Sequence, residues 1–429
     1  MSGLRNSACI ISYGCQMNEY ESRVVQRMLE GAGYEMTKDP DQAELVLLNT
    51  CTVRDNADQK IFNRLQNLLP QKRKFRQKKV GVLGCMVEAQ KERLQREMPD
   101  IDFLLSPMEL KGIANVLAEV TSRDFDSYEA YELKEYHQTR FQAFMPIQTG
   151  CNFNCSYCIV PSVKGREVNH SPDSIVAKIG KQVQSGVKEV TLLGQTINSY
   201  RWEGVRFADL LQRVSEEFPN TWIRFLTSHP VLFDERIIDV VASYQNLTPF
   251  FHIPAQSGSS KVLKSMKRGY TRESYLDLVG KMRAKVPGVA LSTDMICGFP
   301  DESSEDFEES LSLMEEVRFE TAFMFYYSER KDTPAAGKEQ IPLDVRKERL
   351  ARMIEHQMEV QKDVYSKKLG ETVLALVETS GKQAGTVKCK MACGLPVFVP
   401  SEGLEEGDFV QVKLRSCTSH SFQGEVIHD

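Results

Sequence analysis

Short, unbroken apolar runs alternate with amphipathic stretches twice along this chain, over residues 8–105 and again over 143–327. In the first block 7–13, 45–49, 80–83 and 101–105 read as strands, with helices over 20–31, 57–69 and 88–97 between them. Strands that are apolar at every position are those covered on both faces, so the block predicts a parallel, doubly wound α/β sheet. In the second block strands are expected at 143–148, 189–193, 222–226, 250–253, 290–296 and 322–327, with helices such as 174–184, 207–217 and 303–317. Six such units in series predict an open or partial (β/α) barrel.

Between the blocks, 107–142 is polar, with Tyr128, Tyr131 and Tyr136 among charges, and reads as a helix followed by a linker. Residues 345–368 form a long charged helix. Beyond Gly370 the texture changes to alternating runs at 372–378, 395–399 and 409–414 broken by glycines, a small β-barrel close in size to oligonucleotide-binding barrels. The expected domains are therefore 1–122, 140–368 and 369–429. With 41% hydrophobic and 26% charged residues the composition is that of a globular chain with sizeable cores. No apolar stretch has the length of a membrane span and no basic-then-apolar segment opens the sequence, so a cytoplasmic home is expected.

The chain holds eleven cysteines, and an odd count in a reducing compartment suits metal or redox chemistry better than disulfides. Cys151, Cys155 and Cys158 lie in one loop directly after the first barrel strand. Zinc there would need a fourth protein ligand, for which His170 is the candidate, whereas a cubane iron-sulfur cluster on three cysteines leaves one iron open. Cys15, Cys51 and Cys85 each follow one of the first three predicted strands. In a parallel sheet those ends share a rim, so the three are either separate buried cysteines or ligands of a second cluster facing the first. Cys389, Cys393 and Cys417 imitate a metal set but read as core packing, and Cys9 and Cys297 as structural.

The 151–158 loop, with Tyr157 before its last cysteine, resembles that of the radical S-adenosylmethionine (SAM) superfamily. The resemblance implies a 4Fe-4S cluster whose open iron takes the amine and carboxylate of S-adenosyl-L-methionine, and one-electron cleavage of that cofactor to a 5′-deoxyadenosyl radical. Over the whole chain the sequence resembles the methylthiotransferases, which implies a flavodoxin-like N-terminal domain with an auxiliary 4Fe-4S cluster on Cys15, Cys51 and Cys85, a partial (β/α)6 radical SAM barrel, and a C-terminal TRAM barrel. Gly14-Cys15-Gln16-Met17-Asn18 with Glu21-Ser22, Asn49-Thr50-Cys51-Thr52-Val53-Arg54 and Val82-Leu83-Gly84-Cys85-Met86 resemble the MiaB-type tRNA branch. The branch that modifies a ribosomal protein carries Pro-Lys after its first cysteine and Gly-Phe after its second, and neither pair is present.

Strand-end motifs in the barrel supply the expected cofactor pocket: Gly194, Gln195, Ser228, Gln256 and Asp294, together with Tyr157. Phe325, Tyr326 and Tyr327 read as core or as an adenine-stacking wall. Where the family continues to a Ser-Arg pair, this chain has Asn169-His170, which puts charge recognition there in question. The implied reaction places a methylthio group at C2 of N6-isopentenyladenosine beside the tRNA anticodon. It calls for an electron donor such as flavodoxin or ferredoxin, a sulfur source, and no membrane. The alternatives are threonylcarbamoyladenosine in tRNA or an aspartyl residue of a ribosomal protein as substrate, and, in another class, a non-catalytic iron-sulfur RNA-binding sensor. The net charge of 54 − 59 = −5 excludes a uniformly basic surface, leaving three local cation sets as solvated faces or phosphate contacts. They are Lys72, Arg73, Lys74, Arg76, Lys78 and Lys79; Lys261, Lys264, Lys267, Arg268 and Arg272; and Lys388, Lys390, Lys413 and Arg415.

Overall fold

The structure, a computed structural model, describes residues 6–51, 55–73, 75, 77–132 and 139–427. Thr52, Val53, Arg54, Lys74, Arg76, Tyr136 and the Arg73 side chain lie outside the described residues. Five strands, β1 (Ser7–Ser12), β2 (Glu35–Met36), β3 (Leu45–Thr50), β4 (Lys79–Gly84) and β5 (Phe103–Leu105), pair in parallel in the order β2-β1-β3-β4-β5. Alternate residues of β3 face opposite cores. Leu45 and Leu47 meet helices Gln16–Gly31 and Ile113–Thr121, while Val46 and Leu48 meet Asp55–Leu68 and Cys85–Glu97. Burial on both faces explains its unbroken apolar run. The strand order is the flavodoxin-like one, and its direction reverses between β1 and β3, where ligands of such sheets bind. Cys15 and Cys51 follow those two strands. The stretch read as linker is partly core, because the short helix Tyr128–Glu132 returns Tyr128 and Tyr131 to the first domain's apolar cluster.

The central unit runs β6 (Gln142–Pro146), β7 (Gln148–Thr149), β8 (Val168–Asn169), β9 (Glu189–Leu193), β10 (Arg201–Trp202), β11 (Val205–Arg206), β12 (Trp222–Phe225), β13 (Phe250–His252), β14 (Ala290–Cys297) and β15 (Thr321–Tyr326). Its six main strands form two parallel triplets, β12-β9-β6 and β13-β14-β15. They meet at an irregular seam held by the bridge Ile223–Leu247 and by Ser228 N–H to His252 O at 3.1 Å. One apolar core runs beneath both triplets, with the helices between strands packed outside it. This is the partial six-unit barrel, and its carboxyl ends face the first domain, where Phe144 and Leu193 join the core of the flavodoxin-like sheet.

Helix Leu343–Ser366 bridges to the last domain, burying Met353 in the central core and Val360, Val364 and Tyr365 in the small one. There β16 (Thr372–Ser380), β17 (Thr386–Met391), β18 (Pro396–Pro400), β19 (Phe409–Cys417) and β20 (Phe422–Val426) close as β16-β17-β18-β20-β19. Cys389 is buried in its interior, and half-buried Cys393 and Cys417 pack against that core. The barrel docks on the starts of β6, β9 and β12, the end opposite the cysteine loop. Trp222 meets Phe409 at 4.8 Å, Lys188 donates to Gly407 O at 2.6 Å, and buried Glu189 takes Lys390 at 2.7 Å and Arg224 at 3.4 Å.

Many of the expected surface cations are paired within the chain, in the interior or at the surface. Lys78 is fully buried, its ammonium on Pro40 O (2.6 Å) and Gln71 Oε1 (2.8 Å), and Lys72 and Lys79 both hold Asp102. Lys261 pairs with Asp306, Arg272 with Glu316, Lys388 with Glu378 and Arg415 with Glu425. No helix of the described residues is long and apolar enough to cross a membrane.

Candidate active site

The loop carrying Cys151, Cys155 and Cys158 is pinched at its base by the antiparallel pairing of β7 with β8. Gly150 makes the pinch possible: its φ is +74°, and a Cβ there would meet Arg166 O at 2.2 Å. Within the loop Cys158 N–H donates to Cys155 O at 3.1 Å, and Ser156 is tied to Met266 O and to Ala335 N–H. Cys151 Sγ lies 3.5 Å from Thr196 Oγ1, and Cys155 Sγ accepts from Arg268 Nη1 at 3.3 Å. Burial pushes the Cys158 thiol up to about 12, with Cys155 and Cys151 adding to it, so its thiolate needs a bound cation.

The other triplet converges as the strand ends require. Gly14, at φ +129°, lies so close to Cys51 that a Cβ added to it would meet the Cys51 Cβ at 2.5 Å; Gly84, at φ +96°, lies as tightly against Thr50 O. A pair of buried asparagines locks these loops together. Asn18 Nδ2 donates to Asn49 Oδ1 (3.0 Å) and Thr50 O (2.9 Å), Asn49 Nδ2 returns a bond to Asn18 O (2.9 Å), and Cys15 Sγ donates to Asn18 Oδ1 (3.1 Å). Cys15 precedes helix Gln16–Gly31 and Cys85 opens helix Cys85–Glu97, so two of the three thiols stand at helix N-termini, where negative charge is favoured. Burial opposes this at Cys85, pushing the thiol up to about 12.

The segment that follows Cys158 packs on the N-terminal triplet. Ile159, next to Cys158, packs with Val163 on Cys85. From the same short helix, Val160–Lys164, the Lys164 ammonium reaches across to Glu21 at 2.8 Å, with both side chains nearly buried. Burial alone would lower the Lys164 pKa, but Glu21, Cys85 and Cys15 outweigh it and hold the ammonium charged.

Beside the cysteines a cavity of about 500 Å³ is lined by Lys60, Tyr157, Cys158, Gln256, Asp294 and the Phe325–Tyr327 strand end, among others. Tyr157, Gln256 and Asp294 thus stand on its wall, while Gly194, Gln195 and Ser228 do not. Gly194 closes on Gln148 instead, and Ser228 is buried with its N–H on His252 O. Phe325 and Tyr326 are half-buried wall residues. Among the described residues the buried atoms Ser228 Oγ, Gln256 Oε1 and His229 Nε2 have no hydrogen-bond partner, and Thr227 and Gln256 hold positive φ of 64° and 68°. Orphaned polar groups and strained backbone at two strand ends are features of a ligand site. Asp294 lies 3.5 Å from His252 Nε2.

His229 stacks on Phe153 with ring centroids 4.0 Å apart. Burial drops its pKa to about 3, so the ring is neutral, and its Nδ1 accepts from Val231 N–H at 3.3 Å. His170, weighed as a stand-in for arginine, is likewise held near 4 by burial, so it supplies no cation near neutral pH. Among the described residues no three His, Cys, Asp or Glu side chains gather about a point that one ion could occupy. A zinc site with His170 as fourth ligand therefore has no counterpart. Cubane ligands each take a different iron, so they stand farther apart than ligands sharing one ion.

Comparison with known proteins matches residues 7–106 to the model "Uncharacterized protein family UPF0004" and 145–314 to the Radical SAM superfamily. The tRNA-2-methylthio-N(6)-dimethylallyladenosine synthase of Chlorobaculum tepidum is 38% identical, covering 100% of this chain and 99% of its own. The synthase of the same name from Porphyromonas gingivalis is 40% identical, covering 97% and 94%. The chain belongs to the MiaB-type radical SAM methylthiotransferases. Among solved structures, the radical S-adenosylmethionine methyltransferase TsrM of Kitasatospora setae shares its fold at TM-score 0.56 over 77% of each chain, with 14% identity. The cobalamin-dependent radical enzyme OxsB matches at TM-score 0.52, covering 82% of this chain and 56% of its own, at 10% identity.

In this methylthiotransferase several contributors escape a reading of cysteine spacing. Asn18 and Asn49 carry the signal of lying three residues after Cys15 and two before Cys51, whereas Lys164, Glu21, Arg268 and the Phe153–His229 stack become visible only once the domains are docked.

Proposed function

We propose that this enzyme is a tRNA 2-methylthio-N6-isopentenyladenosine synthase, built from an N-terminal domain at 1–122, a radical core at 140–368 and a TRAM barrel at 369–429. The observation that carries this reading is identity of 37–40% over nearly the full length with synthases of that name. In it Cys151, Cys155 and Cys158 hold one 4Fe-4S cluster and Cys15, Cys51 and Cys85 a second. S-adenosyl-L-methionine lies against Tyr157, Gln256 and Asp294, with Gly194, Gln195 and Ser228 shaping the adjoining strand ends. The fit is supported by open donors and acceptors at buried Ser228, His229 and Gln256. Bound, these groups supply one-electron chemistry on an aryl C–H bond that no acid or base removes, and the sulfur and methyl that replace its hydrogen.

The protein's own part is placement. Asn18 and Asn49 fix the rim loops, and Lys164 with Glu21 clamps the second triplet over the first across the domain boundary. The neutral His229 ring and its stacked Phe153 exclude water from the rear of the cysteine loop without adding charge. The cavity's aromatic wall suits a base splayed out of a single-stranded loop, the usual mode of RNA recognition. The partners are the anticodon stem-loop of tRNA, an electron donor such as flavodoxin or ferredoxin, and a sulfur source. Nucleoside analysis of tRNA from cells lacking the protein tests this: N6-isopentenyladenosine should accumulate in place of its 2-methylthio form. Unchanged 2-methylthio nucleosides would overturn it, and loss confined to the threonylcarbamoyl series would move the substrate.

A further inference from the structure

Arg268 presents a buried charge that forms no ion pair with a carboxylate among the described residues; it is 6% exposed. Its guanidinium has three partners: Tyr270 Oη, taking Nε at 3.2 Å; Pro254 O, taking Nη2 at 3.3 Å; and Cys155 Sγ, taking Nη1 at 3.3 Å. The Tyr270 hydroxyl is itself spent on Ala255 O at 2.7 Å, and a phenol is neutral near pH 7. Of the three partners only the cysteine sulfur can carry negative charge. A buried cation with neutral partners is a costly arrangement that folds retain when the compensating charge arrives with a ligand.

We propose that Arg268 is the fixed counter-cation of the cluster held by Cys151, Cys155 and Cys158, raising its reduction potential through the Cys155 sulfur. The inference rests on the cluster assignment made above and adds a residue that acts through a ligand, a positioning residue rather than a catalytic one. Reduction adds one electron, delivered by a low-potential donor, to a group already negative. A cation hydrogen-bonded to one of its sulfurs stabilises the reduced form more than the oxidised one. Tyr270 and the Pro254 carbonyl fix the guanidinium so that the bond is in place before the electron arrives.

The test uses full-length protein with Cys15, Cys51 and Cys85 all replaced by Ala, so that one site loads, reconstituted anaerobically and titrated with dithionite without S-adenosylmethionine. At equal poise the ratio of reduced to oxidised cluster, read by electron paramagnetic resonance, should be about tenfold lower in Arg268→Gln, a shift of about 59 mV for one electron. Arg268→Lys should stay within about threefold of the parent. An Arg268→Gln protein that titrates like its parent overturns the proposal. Failure of the parent itself to load more iron than its Cys155→Ala derivative would instead strike the cluster assignment. Melting of metal-free and loaded protein gives a second reading for a variant that loads poorly. Arg268→Met should leave or raise the melting temperature of the metal-free chain and lower that of the loaded one. Equal losses in both, or a metal-free variant that fails to fold, would make Arg268 a structural strut and overturn the proposal.

Discussion

Replacing Lys164 by Met should loosen the docking of the two cysteine-bearing domains, because it strands Glu21. The pair is short, at 2.8 Å, and the side chains are 6% and 11% exposed, so neither charge can fall back on bulk water. Removing one partner of such a pair costs about 3–5 kcal/mol, against less than about 1 kcal/mol for an exposed one. At 1.4 kcal/mol per factor of ten, amide protection at Val163, beside Cys85, should fall by about two to three and a half orders of magnitude in hydrogen exchange of metal-free protein. Lys164→Met with Glu21→Met should recover most of that loss, since the double variant buries no charge. Single variants within tenfold of the parent, or losses that simply add, would refute the claim that this contact clamps the domains.

The interface of the C-terminal barrel should respond to acid. Burial alone would raise the Glu378 carboxyl, but Lys390 and Lys388 hold it down to about 2, below its unfolded value near 4.5. Its stabilisation is therefore complete above about pH 4.5 and lost as pH falls toward 2. Fluorescence of Trp222, which faces Phe409 across the interface, should report that loss, and Glu378→Gln should lack the dependence. Transfer RNA binding should weaken with salt despite the net charge of −5. Lys264→Ala and Lys267→Ala, which remove exposed cations outside the ion pairs of their cluster, should each lower the salt slope by about one, as a filter-binding series would measure.

What could be read from the sequence was whatever burial writes into composition. Strands covered on both faces, such as β3, are apolar at nearly every position, and the residues just past β1, β3 and β4 could be placed on one rim before any coordinates. Two-residue strands carry no periodicity, so β2 and the β7–β8 pinch were invisible, although the second shapes the cysteine loop. Helices Gln16–Gly31 and Cys85–Glu97 begin earlier than their apolar faces suggest, and neither Cys15 nor Gly84 caps its helix with a side-chain hydrogen bond to the backbone that would have marked the start. The cation runs misled for the opposite reason. Lys78, Arg268 and Lys390 look like surface charge in sequence, and only the docked fold shows each buried or spent on a specific partner. Docking likewise separates Gln256 and Asp294, on the cavity wall, from Gly194, Gln195 and Ser228, which do not line it.

The division of labour between the two triplets is the central claim, and Cys51→Ala tests it most directly. Anaerobically reconstituted Cys51→Ala enzyme, given S-adenosylmethionine, reductant and tRNA bearing N6-isopentenyladenosine, should hold about four irons per chain where the parent holds about eight. It should still release 5′-deoxyadenosine, a step that Cys158→Ala abolishes, yet yield no 2-methylthio nucleoside by mass spectrometry. A Cys51→Ala enzyme that still thiomethylates would contradict the account.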